Sequence, residues 1–360
     1  MNGARQQGAV ILIFITIVLL GVTTLLVTQL SVNKQKNQRQ TSTLTDLATA
    51  KQNLVGYALR QPIPGTLPCP DTNGDGLANP QGANCQALLG LLPYRTLNLP
   101  VLTDGTGARL WYAVAANYTS NAATLKNSSI TSNLTLDGQA MAAVVLAPEA
   151  QLNNQNRQPL NRTDHLEGVN ADADFTTFTA IQSDSQNDQV AGISPAAFWP
   201  VIERHVLTNA RELLNQYRAQ CGEFPWAADF GGPFNSVNNQ QSGALPLVTA
   251  LPNDWGTVCG GGIAPIPQVW LRNHWSSQLL YRMCQTVEGN CVNIIGSAAT
   301  PAPGVLVAPG TSLAGQVRPD NDVNDYFEDE NASLPDNQYR EAGTIDHDAT
   351  YNDTTRALSP

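Results

Sequence analysis

The hydrophobic positions of this chain fall into three regimes. From Ala9 to Leu30 they form a continuous run of 22 residues, AVILIFITIVLLGVTTLLVTQL, with no charge and no proline. About 20 apolar residues at ~1.5 Å of rise each match a ~30 Å hydrocarbon core, so the run predicts a membrane-crossing helix. From Ser31 the pattern turns amphipathic. Leu44, Leu47, Leu54, Val55 and Ala58 recur at three- and four-residue spacings, with no proline and one glycine, Gly56, before Arg60. The two regimes together predict one helix over 9–60, roughly 78 Å long.

Beyond Arg60 the apolar runs shorten. Ala140–Ala147 (AMAAVVLA) and Pro303–Ala308 (PGVLVA) read as buried strands between turn-forming residues. Ser194 opens a second helix, with a capping hydroxyl, Pro195 in the first turn and apolar residues at helical spacing through Gln220. The expected class is α+β. A long N-terminal helix, membrane half plus amphipathic half, carries two tandem heads, each a helix packed on a small antiparallel sheet.

An internal repeat supports two heads. Residues 144–171 and 305–332 align without gaps at an offset of 161, with 10 of 28 positions identical. The matches include Ala147/Ala308, Pro148/Pro309, Gln155/Gln316, Arg157/Arg318, Asp164/Asp325, Glu167/Glu328 and Asn170/Asn331. NLVGYALRQ then LPCP is echoed by ELLNQYRAQ then FPWA, and LWYAVA by LLYRMC. The expected division is a leader over 1–8, a transmembrane and spine helix over 9–60, a first head over 61–190 and an anchorless second unit over 194–335. Residues 336–360, acidic and rich in Asn, Asp and Thr, are expected to be disordered.

Composition narrows the setting. A net charge of -10 and the absence of a basic face exclude nucleic acid as a partner. The 28 glycines and 23 prolines, with only 13% charged residues, suit loop- and strand-rich extracytoplasmic domains. All six cysteines, Cys69, Cys85, Cys221, Cys259, Cys284 and Cys291, follow the apolar run, without a CxxC. Disulfides in an oxidising compartment are therefore expected over zinc. Closeness in sequence favours Cys69–Cys85 and Cys284–Cys291, which leaves Cys221–Cys259.

The N-terminus, ARQQG then AVILIF, resembles a prepilin signal: a short basic leader ending in Gly8, cut before Ala9, ahead of a retained apolar helix. The phrases LPCPDTNGDG and LPYRTLNLP after the first helix resemble those of bacterial pilin-like proteins, with Tyr94 where a Trp is usual. The resemblance covers Gly8 to about Ala116 and recurs around 141–230. It implies a type IV pilin-like or pseudopilin family protein, cleaved by a prepilin peptidase and methylated at Ala9. The usual Glu at the fifth mature position is Ile13 here, which implies a minor subunit, such as one at a filament tip. The implied location is the inner membrane of a bacterium, N-terminus cytoplasmic and heads periplasmic, or a pilus or pseudopilus filament. The implied partners are the membrane, other pilin or pseudopilin subunits, an inner-membrane assembly platform and the peptidase. A membrane-anchored, adhesin-like binding protein is the alternative.

Candidate chemistry is sparse. Asp71, Asn73 and Asp75, with Gly76 and Asn79, match the first half of a calcium loop, but Gly82 stands where a closing Glu is needed. Calcium would need a further ligand from Glu167, Asp172 or Asp174; tight-turn chemistry is the competing explanation. Asp164, Glu167, Asn170, Asp172 and Asp174 form an acidic cluster, echoed by Asp325, Glu328, Asp329, Glu330 and Asn331. Its duplication favours a solvated or ion-binding loop over one active site. No nucleophile, zincin or phosphate-loop signature occurs, so no enzyme activity is expected and no catalytic residue is assigned.

Overall fold

Helix α1 occupies Gly3–Leu59, an uninterrupted stretch without proline. This computed structural model describes residues 3–359 apart from 121–123, 153–154, 173, 233–235, 247–268, 276, 286–288, 297–299, 320, 334–336 and 341–349. For residues 3–13, 21–32, 220 and 300 it describes the backbone alone. Thr43, Leu47, Ala50, Leu54 and Ala58 of α1 are buried at spacings of three and four, forming the stripe that seats the helix on the first head. Leu44, expected in that stripe, is 54% exposed, and Thr43 lies inward instead.

The first head follows as β1 (Pro80–Gln81), β2 (Asn84–Cys85), β3 (Leu89–Leu91), β4 (Trp111–Val114), β5 (Thr135–Leu136), β6 (Gln139–Ala140), β7 (Ala143–Ala147), β8 (Thr177–Phe178) and β9 (Gln189–Ile193). Strands β3-β4-β7-β9 form an antiparallel sheet in that order, and β6-β5-β8 a second, with β5 and β8 parallel. Helix α2 (Pro195–Cys221) starts at the Ser194 cap, whose Oγ accepts from Ala197 N–H at 3.2 Å, and stops at left-handed Gly222.

The second head contains β10 (Ser242–Ala244), α3 (Val269–Trp275), β11 (Leu280–Met283), β12 (Val292–Ile295), β13 (Thr300–Ala302), β14 (Gly304–Ala308), β15 (Gln338–Arg340) and β16 (Thr354–Ala357). The order β10-β11-β14-β16 repeats the first head's large sheet, and β13-β12-β15 its small one, parallel pair included. Even the side-chain ties repeat. Tyr112 donates its hydroxyl to Pro68 O at 3.1 Å, and Tyr281 to Pro225 O at 2.9 Å.

One hydrophobic core spans both heads, and a smaller cluster around Val305, Tyr326 and Tyr339 lies within the second. Trp199 of α2 packs against Phe198 and Trp275, and its Nε1 donates to Tyr118 of the first head at 3.2 Å. Gly65 lies so close over this ring that an added Cβ would meet it at 2.9 Å, and its φ of +95 also favours glycine. A polar seam completes the joint. Lys126 N–H donates to His274 Nδ1 at 3.2 Å, Asn127 Nδ2 to His274 O at 2.7 Å, and Ser128 Oγ to Gln278 Oε1 at 3.3 Å.

Three expectations need correction. First, among the described residues no helix is long and apolar enough to cross a membrane. The apolar side chains described on the N-terminal part of α1 lie within 14–20, ~10 Å of helix against ~30 Å of hydrocarbon, while the rest of the 9–30 run lies outside the described side chains. Second, the class is mixed α/β with several sheets, not one small antiparallel sheet per head, because each head adds a three-stranded sheet with a parallel pair. Third, the stretch expected to be disordered supplies β15 and β16, and Tyr339, Tyr351 and Leu358 from it are buried. Thr354–Ala357 carries two β-branched threonines and completes the large sheet beside β14. The second head thus runs to Ala357, past 335.

Candidate functional site

Helix α1 carries the most unusual surface. Its later turns are seated on the head, whereas Phe14 is 67% exposed and Ile15, Ile17, Val18, Leu19 and Leu20 are exposed as well. At 100° per residue these positions surround the helix rather than marking one face. Gly8, Ala9 and Ile13, the residues of the expected processing signal, have helical backbone, and their side chains lie outside the described set.

The Asp71 loop is a self-contained turn. Asp71 is buried, and its Oδ1 accepts from Gly74 N–H at 2.6 Å, its Oδ2 from Gly76 N–H at 2.7 Å. Arg109 Nη2 reaches Oδ2 at 3.1 Å, and its Nη1 donates to Gly74 O. Asn79 Oδ1 accepts from Thr72 N–H, Asn73 Nδ2 donates to Asp75, and Leu77 N–H holds the Asp75 carboxyl below the usual range. A guanidinium and backbone N–H groups take the oxygens that a calcium ion would need, so the ligand set does not fit calcium. Cys69–Cys85 bridges the flanks of this loop, and Cys284–Cys291 closes a loop in the second head. Cys221 is disulfide-bonded too, while Cys259 lies outside the described residues.

The acidic cluster and its echo are not solvated throughout. Glu167 and Asn170 are buried, and so is Asn331. In the first head Gln155 Nε2 donates to Glu167 Oε1, and Asn187 N–H to Glu167 Oε2 at 3.1 Å. Glu167 N–H and Asn170 Nδ2 donate to Asp188 Oδ2 at 3.1 and 3.0 Å. In the second head Gln316 Nε2 donates to Glu328 Oε1 at 2.7 Å and Asn352 N–H to Glu328 Oε2 at 3.1 Å. Glu328 N–H and Asn331 Nδ2 donate to Asp353 Oδ2 at 3.1 and 3.0 Å. These carboxyls face N–H donors and each other, so Glu167 is not available to the Asp71 loop. Asp172 and Asp174 are exposed.

Asp188 and Asp353 escaped the sequence reading. They lie 165 residues apart, not 161, and an alignment allowing a four-residue gap would have paired Asn187-Asp188 with Asn352-Asp353. Of the tryptophans, Trp199 and Trp275 are fully buried, in keeping with core packing, and Trp255 lies outside the described residues.

Two concavities flank α1. An apolar groove of about 700 Å³ between α1 and α2 is lined by Val55, Leu59, Leu136, Met141, Ile193 and Val201 among others. A polar one of about 550 Å³ lies where Lys36 and Arg39 meet Glu149, Gln182, Asn187 and Gln189. No protein-family model matches this chain, and no curated protein or solved structure matches it.

Proposed function

We propose that this chain is a minor-pilin or pseudopilin-like structural subunit, built into a filament of the type IV pilus or type II secretion class through α1. The observation that carries the reading is the division of that helix. Leu47, Ala50, Leu54 and Ala58 fix it to the head, while Phe14, Ile15, Ile17, Val18, Leu19 and Leu20 stand exposed on every side. Fully burying a large apolar side chain is worth ~1.5–3 kcal/mol, so such a segment gains most from several neighbouring helices at once. Its partners are other pilin-like subunits and an assembly platform, after a prepilin peptidase has cut between Gly8 and Ala9.

The disulfides favour heads exposed to an oxidising compartment. The fused double head is bulky, and Ile13 replaces the expected Glu, which both favour a terminal over a repeating position. The test is the N-terminal sequence of the mature protein. A methylated Ala9 is the expected result. An intact leader starting at Met1, in cells that contain the peptidase, overturns the reading.

A further inference from the structure

Both heads bury an aspartic acid against a glutamate at the same place, Glu167 buried and Glu328 half-buried, and both leave the same atom over. Asp188 is 1% exposed and Asp353 0%, and each accepts at Oδ2 from the backbone N–H of the glutamate it faces, Glu167 or Glu328. Every other oxygen of the two pairs takes an N–H donor. Among the described residues none reaches Asp188 Oδ1 or Asp353 Oδ1. A buried polar atom left unsatisfied costs ~1–3 kcal/mol, and more when charged. Two carboxylates facing each other around a buried aspartic acid also repel, so they do not both ionise readily. One proton on the spare oxygen answers both problems: the acid O–H donates to the facing glutamate, and a single charge remains against the N–H donors.

We propose that Asp188–Glu167 and Asp353–Glu328 are proton-sharing clasps, each a carboxylic acid bonded to a carboxylate, and that losing the proton in alkaline solution frees the loop each clasp ties to its sheet. The tied segments are 148–171 and 309–332. In the first head Glu167 is the charged group facing Asp188. In the second, Asp353 faces Glu328 and also interacts with Arg318 and Tyr351. Burial first, then the neighbouring glutamate, pushes both aspartic acids upward.

The clasps also reach the helices. Next to Asp188, Gln189 Nε2 donates to Glu149 Oε1 at 2.7 Å, and Glu149 accepts from Thr43 of α1 at 2.8 Å. Asn187 Nδ2 donates to Ala150 O at 2.7 Å. In the second head Asn352 Nδ2 donates to Thr311 O at 2.6 Å, and Thr354 Oγ1 to Glu203 of α2 at 3.5 Å. Opening a clasp therefore loosens the contact between a sheet end and its helix. In the first head that contact lies beside Lys36 and Arg39, where α1 leaves the head. The inference stands whether or not the chain enters a filament.

The test uses the full-length protein. Infrared difference spectra at pH 6 between wild type and Asp188→Asn/Asp353→Asn are expected to contain a protonated-carboxyl band. That band should vanish from wild type on raising the pH. The amide can donate to the glutamate in place of the proton, so the variants retain the tie. Below about pH 4, the ordinary aspartate value, they should unfold like wild type. Above it, the wild-type unfolding constant should rise relative to the variants by up to tenfold per pH unit for each acid. If a variant fails to fold, hydrogen exchange on wild type decides: protection of 148–171 and 309–332 should fall with alkaline pH more than that of β4 and β11. Absence of the band from the difference spectrum, or loop protection that does not change with pH, overturns the proposal.

Discussion

Thr43 of α1 and Glu203 of α2 hold the same place in the two copies, 160 residues apart as are Tyr57 and Tyr217, and they exchange its chemistry. In the first copy the helix supplies the hydroxyl, Thr43 Oγ1, which donates to Glu149 on the loop after β7. In the second copy the counterpart of Glu149 is Gly310, and the carboxyl comes from the helix instead. Glu203 there accepts from Thr354 Oγ1 at 3.5 Å. Each copy therefore keeps one carboxyl at the junction of helix and sheet, delivered from opposite sides.

Glu203 is fully buried, and burial pushes its carboxyl up to about 7 from an ordinary 4.5. With the folded value above the unfolded one, its favourable contribution is complete below pH 4.5 and is lost as the pH rises through 7. Glu203→Gln should match wild type at pH 4 and exceed it at pH 8 by on the order of 3 kcal/mol. Urea unfolding at the two pH values checks this. An equal difference at both would mean that the carboxyl titrates normally.

Arg109→Ala leaves Asp71 buried with backbone donors only. The expected loss is about 3 kcal/mol, because removing one partner strands a buried charge. Thermal unfolding with and without added calcium checks the turn assignment as well. Calcium should raise neither the wild type nor the variant, and rescue of the variant would restore the cation reading.

Reducing Cys69–Cys85, which spans 16 residues, should cost about 3 kcal/mol, and reducing Cys284–Cys291, which spans 7, slightly less. The Cys→Ser variants, compared in guanidinium unfolding, give both values. A native-like midpoint for Cys69→Ser/Cys85→Ser would show that Asp71 and Arg109 hold that loop by themselves.

Two substitutions on α1 should separate its two tasks. Leu54→Ala opens the seat under the helix and should cost ~2–5 kcal/mol. Ile17→Asp lies on exposed surface and should change head stability by no more than ~0.5 kcal/mol. Only Ile17→Asp is expected to abolish co-assembly with other pilin-like subunits while leaving the melting temperature in place. Unaltered co-assembly would remove the apolar segment from the interface.

What could be read from the chain was mostly what repeats locally. The stripe of Leu47, Leu54 and Ala58 obeys helical spacing, Ser194 and Pro195 mark a helix start, and two cysteine pairs lie close in sequence. The misreadings share one cause, partners distant in sequence. Arg109, 38 residues from Asp71, turns an apparent cation loop into a salt-bridged turn. Asp353 and Tyr351 sit in a polar tail whose composition resembles disorder, yet they complete a network begun at Gln316. Leu44 satisfies the spacing but lies on the wrong side of a helix whose inward register is set by Thr43 and Glu149.

The seam between the heads has a consequence for biosynthesis. Ser128 is buried only once Gln278, 150 residues later, has arrived to meet it. At roughly 5–20 residues per second, the first copy waits about 8–30 s with that face bare while the second is still being made. The ribosome thus delivers an unfinished half first, and a truncation before His274 would leave a sticky, quality-control-prone fragment rather than a smaller working protein.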